Sequence, residues 1–199
     1  MAETKPPRIP PLPREEWNDE ARDVFGYFEG PAARENGSRS VTVMTLANHP
    51  KLAIPSLDLG KYLLVDSSLS PIEKELVILR VAARYDSGYQ WGHHVHAGRR
   101  LGMSDEQFEA LRAEGLSACW GPYERAFVGA VDQLCEGGRI DDVTWASLAK
   151  TMDKRKLMDF IYSVGFFTMQ AWAFGAMGIQ LEPDFEEFST PPAERVGKG

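Results

Sequence analysis

Apolar side chains recur along most of this chain at the three- and four-residue spacing of amphipathic helices, and no run alternates convincingly with the two-residue period of a strand. Helical segments are predicted over 15–28, 52–65, 70–85, 89–101, 104–113, 121–136, 142–152 and 154–177, with 41–47 readable as either helix or strand. Their punctuation is marked. Ser70-Pro71-Ile72-Glu73 combines an N-cap serine, a proline at the first helical position and a returning glutamate, and Ser104-Asp105-Glu106-Gln107 repeats the capping box. Asp86-Ser87-Gly88 reads as a tight connection, and Gly102 as the glycine that ends a helix. Residues 30–37 read as a loop, and Asn48-His49-Pro50 as a break. Residues 1–13, rich in proline, read as an extended arm, and 183–199 as an irregular tail. The expectation is a single all-α domain over 1–199.

Size and composition fit that reading. A chain of 199 residues with 43% hydrophobic and 26% charged side chains can bury one real core. Its net charge of −7 argues against nucleic acid as a partner. The N-terminus lacks an apolar signal segment, and Cys119 and Cys135 fit neither a disulfide framework nor a zinc knuckle, which suggests a cytoplasmic protein. Residues 160–181 carry no formal charge, yet they contain Tyr162, Ser163, Thr168 and Gln170 and three glycines. They are read as a buried central helix, also placed at a subunit interface, and not as a membrane span.

The chemistry concentrates in residues 75–102. His93, His94 and His96 fall within four positions of one predicted helix. With about 100° per residue, His94 shares a face with Gln90, Trp91, Gly98 and Leu101, and with Ser87 one turn earlier. His93 lies at the border of that stripe, and His96 is expected to face water near Arg99 and Arg100. On the preceding helix Glu75 shares a side with Ile72, Ile78, Leu79 and Ala82. A buried carboxylate must pair or take up a proton, and His94 is the obvious partner. Such a pair suits acid–base catalysis, although an inward histidine is also a common packing residue. No metal is expected, because adjacent histidines splay apart around the helix. Trp91 has two readings, core packing and substrate contact.

These residues carry a resemblance. Residues 75–102, followed by Met103-Ser104-Asp105-Glu106, resemble the carboxymuconolactone decarboxylase family, which includes the alkylhydroperoxidase D type: small all-α proteins of about seven or eight helices that assemble as trimers or hexamers. In the peroxidase branch a glutamate is followed by Cys-x-x-Cys and, four residues on, a histidine. Those positions correspond here to Glu75, Ser87, Gln90 and His94, so both thiol positions lack sulfur and disulfide redox is disfavoured. The decarboxylase branch reads Ser-x-Tyr-Glu-Trp-x-His-His, against Ser87-Gly88-Tyr89-Gln90-Trp91-Gly92-His93-His94. The similarity extends to Arg8-Ile9-Pro10-Pro11-Leu12 and Asp141-Asp142-Val143-Thr144-Trp145. Gln90 departs from the usual glutamate and cannot accept a proton.

The resemblance implies a homotrimer or homohexamer and a cofactor-free lyase or isomerase acting on a small carboxylated ring compound or lactone. Proton transfer falls to His94 and its orientation to Glu75. Gln90 and Ser87, with Trp91 in its substrate-contact reading, would bind the substrate, and His93 its anionic group. A non-catalytic small-molecule-binding oligomer is the alternative, and thiol peroxidase chemistry the least favoured reading.

Overall fold

The computed structural model describes residues 6–113, 118–182 and 185. Among them there are ten α-helices and no strand. They are α1 (Asp19–Glu29), α2 (Ala33–Asn36), α3 (Val41–Leu46), α4 (Pro50–Lys61), α5 (Pro71–Arg84), α6 (Gly88–Arg100), α7 (Asp105–Arg112), α8 (Pro122–Gly137), α9 (Asp142–Leu148) and α10 (Lys154–Met177). The all-α expectation holds, with more helices than the seven or eight expected. The segment read as one helix over 15–28 is a 3-10 turn, Arg14–Glu16, followed by α1, because the Asn18 side chain caps Ala21 and restarts the helix. Part of the predicted loop over 30–37 forms the short α2. Pro50 opens α4 at its first turn, and α4 ends in a π-helical turn at Tyr62–Asp66.

At the centre of the molecule, α5 packs against α6, α7, α8 and α10. Leu76 to Ala82 are all buried, so this helix has no solvent face over two turns. One core cluster surrounds it, with Trp91, Phe108, Leu111, Phe127, Val131, Leu148 and Phe160. A second cluster joins α1, α3 and α4 through Val24, Phe25, Val43 and Ala53. Both predicted capping boxes are present, at Ser70–Glu73 and Ser104–Gln107.

The described part of the N-terminal arm has no regular structure and straps across the fold. The Arg8 and Ile9 amides donate to the Met177 carbonyl at 2.8 and 3.2 Å, and the Leu12 amide to Met44 at 2.9 Å. Gly178 ends α10 in the left-handed region at φ 73°, and a Cβ there would meet the Arg8 amide at 3.4 Å. The predicted tail over 183–199 lies, apart from Phe185, outside the described residues.

Two expectations about α10 divide. Phe160, Val164, Phe167 and Ala171 are buried as expected, yet Met158, Tyr162, Met169 and Trp172 are exposed on the opposite face. Among the described residues no helix is long and apolar enough to cross a membrane.

Burying α5 forces its charged side chains into closed arrangements. Arg80, 2% exposed, donates from Nε and Nη2 to both oxygens of Asp132 at 2.7 and 2.8 Å. Its Nη1 donates to the carbonyls of Leu111 and Ala113 at 2.7 Å each, tying α5 to α7 and α8. Removing one partner leaves a buried charge uncompensated. Arg80→Ala is therefore expected to cost about 3–5 kcal/mol in a urea titration, and a loss under about 1 kcal/mol would contradict this account.

Candidate active site

The α5–α6 connection places the chemistry. Asp86 adopts φ 49°, a left-handed conformation that aspartate tolerates better than most residues, and the chain reverses within three residues into α6. The two helices pack side by side. This sets Glu75, 7% exposed, opposite His94, whose Nδ1 lies 2.8 Å from Glu75 Oε2. An ionised Glu75 accepts only, so the proton at this contact sits on Nδ1 and the neutral ring presents a lone pair at Nε2.

A cavity of about 670 Å³ opens beside this pair, between the α1–α3–α4 group and the faces of α6 and α10. His93, His94, Gln90 and Tyr89 form its α6 wall, facing apolar side chains that include Phe28, Leu57, Leu64, Phe166 and Phe167. Gln90, 3% exposed, donates from Nε2 to the Phe167 carbonyl at 3.0 Å, while its Oε1 has no protein partner. The Phe167 ring stands edge-on to His94, with centroids 6.3 Å apart.

Other predicted site residues fall elsewhere. Trp91 is 2% exposed, lies outside the cavity lining, and packs under the Arg112 guanidinium 4.3 Å from its ring centre. Of its two readings, packing is the one the fold realises, since its side of α6 turns toward the core. Ser87 is buried and also lies outside the lining. His96 is half-buried, not solvent-facing: the Phe185 ring covers it at 5.5 Å, a contact helical angles within α6 could not reveal.

His93 has a partner that sequence reasoning missed. Its Nε2 lies 2.7 Å from Glu182 Oε2, while Glu182 Oε1 accepts from the Val41 amide at 2.8 Å and from the Tyr89 hydroxyl at 3.1 Å. Phe185 stacks on the His93 ring at 4.1 Å. Gly92 lets this segment approach, because a Cβ there would lie 2.5 Å from Leu181 Cδ2. With a carboxylate already on its Nε2, His93 is poorly placed to receive a substrate's anionic group there. An acid next to Pro183 in a proline-rich stretch gave no local signal for any of this.

Burial works against ionisation of Glu182, but the hydrogen bonds from His93 and the Val41 amide outweigh it and hold its carboxyl below the ordinary value. Tyr89 moves the other way, raised chiefly by its burial. A carboxyl lowered on folding adds stability above 4.5, its unperturbed value, and that stability is lost as pH falls through the lowered value. Thermal melting should therefore show a steeper loss on acidification in the wild type than in Glu182→Gln. Identical acid limbs would refute the contact's contribution.

Cys119 and Cys135 are absent from the cavity lining, and burial pushes the Cys135 thiol up, away from the reactive thiolate. Among the described residues, no three His, Cys, Asp or Glu side chains are grouped as a metal would require.

Residues 50–133 match the model of the Carboxymuconolactone decarboxylase family. No curated protein matches the chain in sequence. Among solved structures, the chain is similar to an uncharacterized peroxidase-related protein from Silicibacter sp. TM1040, with 20% identity, a TM-score of 0.75, and 93% of this chain and 97% of that one covered. It is also similar to an uncharacterized peroxidase-related protein from Ralstonia eutropha JMP134, described as an alkylhydroperoxidase AhpD core (17% identity, TM-score 0.73, 91% and 95% covered). A third is a Cys-to-Ala variant of the debrominase Bmp8 in complex with 2,3,4-tribromopyrrole (16% identity, TM-score 0.72, 94% and 97% covered). At these identities the likeness establishes the fold. The chain is thus similar to the carboxymuconolactone decarboxylase family over residues 50–133, and its fold is that of the alkylhydroperoxidase D-like helical proteins.

Proposed function

We propose that the protein is a cofactor-free lyase or isomerase that moves protons on a small ring compound or lactone, with His94 as the acid–base residue. The supporting observation is the 2.8 Å contact between buried Glu75 and His94 Nδ1, which leaves Nε2 as an acceptor on a cavity wall. In this reading Nε2 takes a proton from the carbon between a carbonyl and a β,γ double bond, and the electron pair moves into that carbonyl as a dienolate. Glu75 stabilises the imidazolium, which returns the proton to the new position. Gln90 orients the substrate and holds no proton of its own.

A γ-lactone with a β,γ double bond, α-angelica lactone, is a suitable probe. In heavy water the wild type is expected to introduce deuterium next to the lactone carbonyl, and His94→Ala to lose this by about a hundredfold or more while melting normally. No exchange by the wild type, or equal exchange by the variant, would overturn the assignment.

The alternative is a binding protein without turnover. What favours it is Gln90, an amide engaged to backbone where an ionisable group is usual for the family. It would appear as ligand-induced thermal stabilisation of a wild type that exchanges no deuterium.

We further propose a homotrimer or homohexamer whose contacts use the exposed face of α10. Met158, Tyr162, Gly165, Met169 and Trp172 follow alternating steps of four and three residues, the 3.5-residue period of a helix seam. Tyr162→Glu combined with Met169→Glu should lower the particle mass in light scattering without changing helical content. An unchanged mass would exclude this face.

A further inference from the structure

We propose that the cavity selects a largely apolar ring compound whose single polar handle is a hydrogen-bond donor, a phenolic or enolic hydroxyl, in preference to a carboxylate. The inference rests on reading this cavity as the substrate site, and it names the class of molecule that fits.

Its first support is the direction of the hydrogen bonds on the α6 wall. The Phe167 carbonyl can only accept, so the Gln90 amide must turn its NH2 toward it. The amide oxygen is then the free end. It is buried, it belongs to a residue lining the cavity, and no protein donor reaches it. An unmet buried acceptor carries a desolvation cost, which a ligand donor recovers. His94 points the same way: with Nδ1–H committed to Glu75, its Nε2 is a second acceptor. Both groups that remain open on this wall therefore accept.

The other polar side chains are engaged or indifferent. Tyr89 donates to Glu182, and Gln170 to Ser56. The Thr42 hydroxyl can donate or accept, so it discriminates nothing.

Charge gives the second support. Among the lining residues Lys61 is the one cationic side chain other than the histidines, and it stands exposed at the end of α4. Both histidines are backed by carboxylates, Glu75 and Glu182. An anionic ligand would enter an apolar space with two acids behind its wall and no buried cation to pair with. A neutral hydroxyl meets no such penalty.

Size and surface give the third. A volume of about 670 Å³ exceeds what a small ring alone fills, and Phe28, Leu57, Leu64 and Phe166 offer apolar area to a substituent. Substrate chemistry follows from this placement. A hydroxyl that donates to Gln90 lies on the wall that carries His94, so the proton that moves belongs to the ring carbon beside it.

The test measures binding and needs no turnover. Calorimetric titration of the wild type would compare 4-hexylphenol, 4-hexylanisole and 4-hexylbenzoate, which share one apolar body. Expected is a phenol affinity about tenfold or more above the anisole, the loss that follows one missing hydrogen bond to a buried group, with the benzoate weaker than the phenol. Shortening the chain to 4-propylphenol should weaken binding by roughly fourfold per methylene removed. Gln90→Met should bring the phenol down to the level of the anisole measured on the same variant.

An anisole that binds as well as the phenol, a benzoate that binds more tightly and loses this in Lys61→Ala, or no binding by any probe would each overturn the proposal. The wild-type comparison stands whether or not Gln90→Met folds. A failed affinity order leaves proton transfer by His94 to be judged by deuterium exchange, and failed exchange leaves the affinity order intact.

Discussion

Everything in this structure depends on the burial of α5 from Glu75 to Ala82. The charged side chains buried there and in the turn before it cannot reach water, so each must find a partner within the protein. Glu73, buried in its own capping box, is held by Lys156 at 2.8 Å and by the Tyr123 hydroxyl. Arg80 is held by Asp132 and two carbonyls. Glu75 is held by His94. Three buried charges on one helix thus bind four other elements: α10 and α8 at one end, α7 and α8 at the other, and α6 between them.

The three differ in what their partners can still do. Arg80 and Glu73 are enclosed by groups that have no further chemistry to offer, and burial together with the Glu73 contact raises the Tyr123 hydroxyl far above its ordinary range, keeping it protonated. Glu75 alone is paired with a group that has a second face. Its partner's other nitrogen belongs to a residue on a cavity wall, so the contact that satisfies buried Glu75 is also the one that would prepare the proposed base. In the proposed mechanism the tautomer needed for proton abstraction is the one selected by an ionised Glu75 accepting at Nδ1.

His93 shows how a neighbouring histidine acquires a different character. One step around α6 it faces the segment that follows α10, where Glu182, Tyr89 and the Val41 amide gather around one carboxylate. The anion-binding role suggested by its position is therefore poorly matched to its surroundings, whereas the role suggested for His94 fits. The two side chains are adjacent in sequence, and their difference arises entirely from what packs against each face of the helix.

Helix periodicity and capping chemistry are local, so the chain displays them openly. Ser70, Glu73, Ser104 and Gln107 announce their helix starts, and the 3.6-residue repeat brings Ser87, Gln90 and His94 to one side of α6 and Glu75 to the inner side of α5. Even the Glu75–His94 pairing was legible, because a short connection between two adjacent helices leaves few alternatives. Contacts between distant segments were not. Glu182 reaches His93 across 89 positions, Phe185 covers His96, and Asp132 meets Arg80 across 52, and no spacing rule encodes such a meeting. The sequence by itself determined the helices, their inward faces and the Glu75–His94 contact. Only the tertiary structure decided which face of α6 borders a cavity, that Trp91 belongs to the core, and that the Gln90 amide turns its NH2 to the Phe167 carbonyl. Each of those depends on which distant side chain or carbonyl fills the space opposite, and that is settled by packing, not by periodicity.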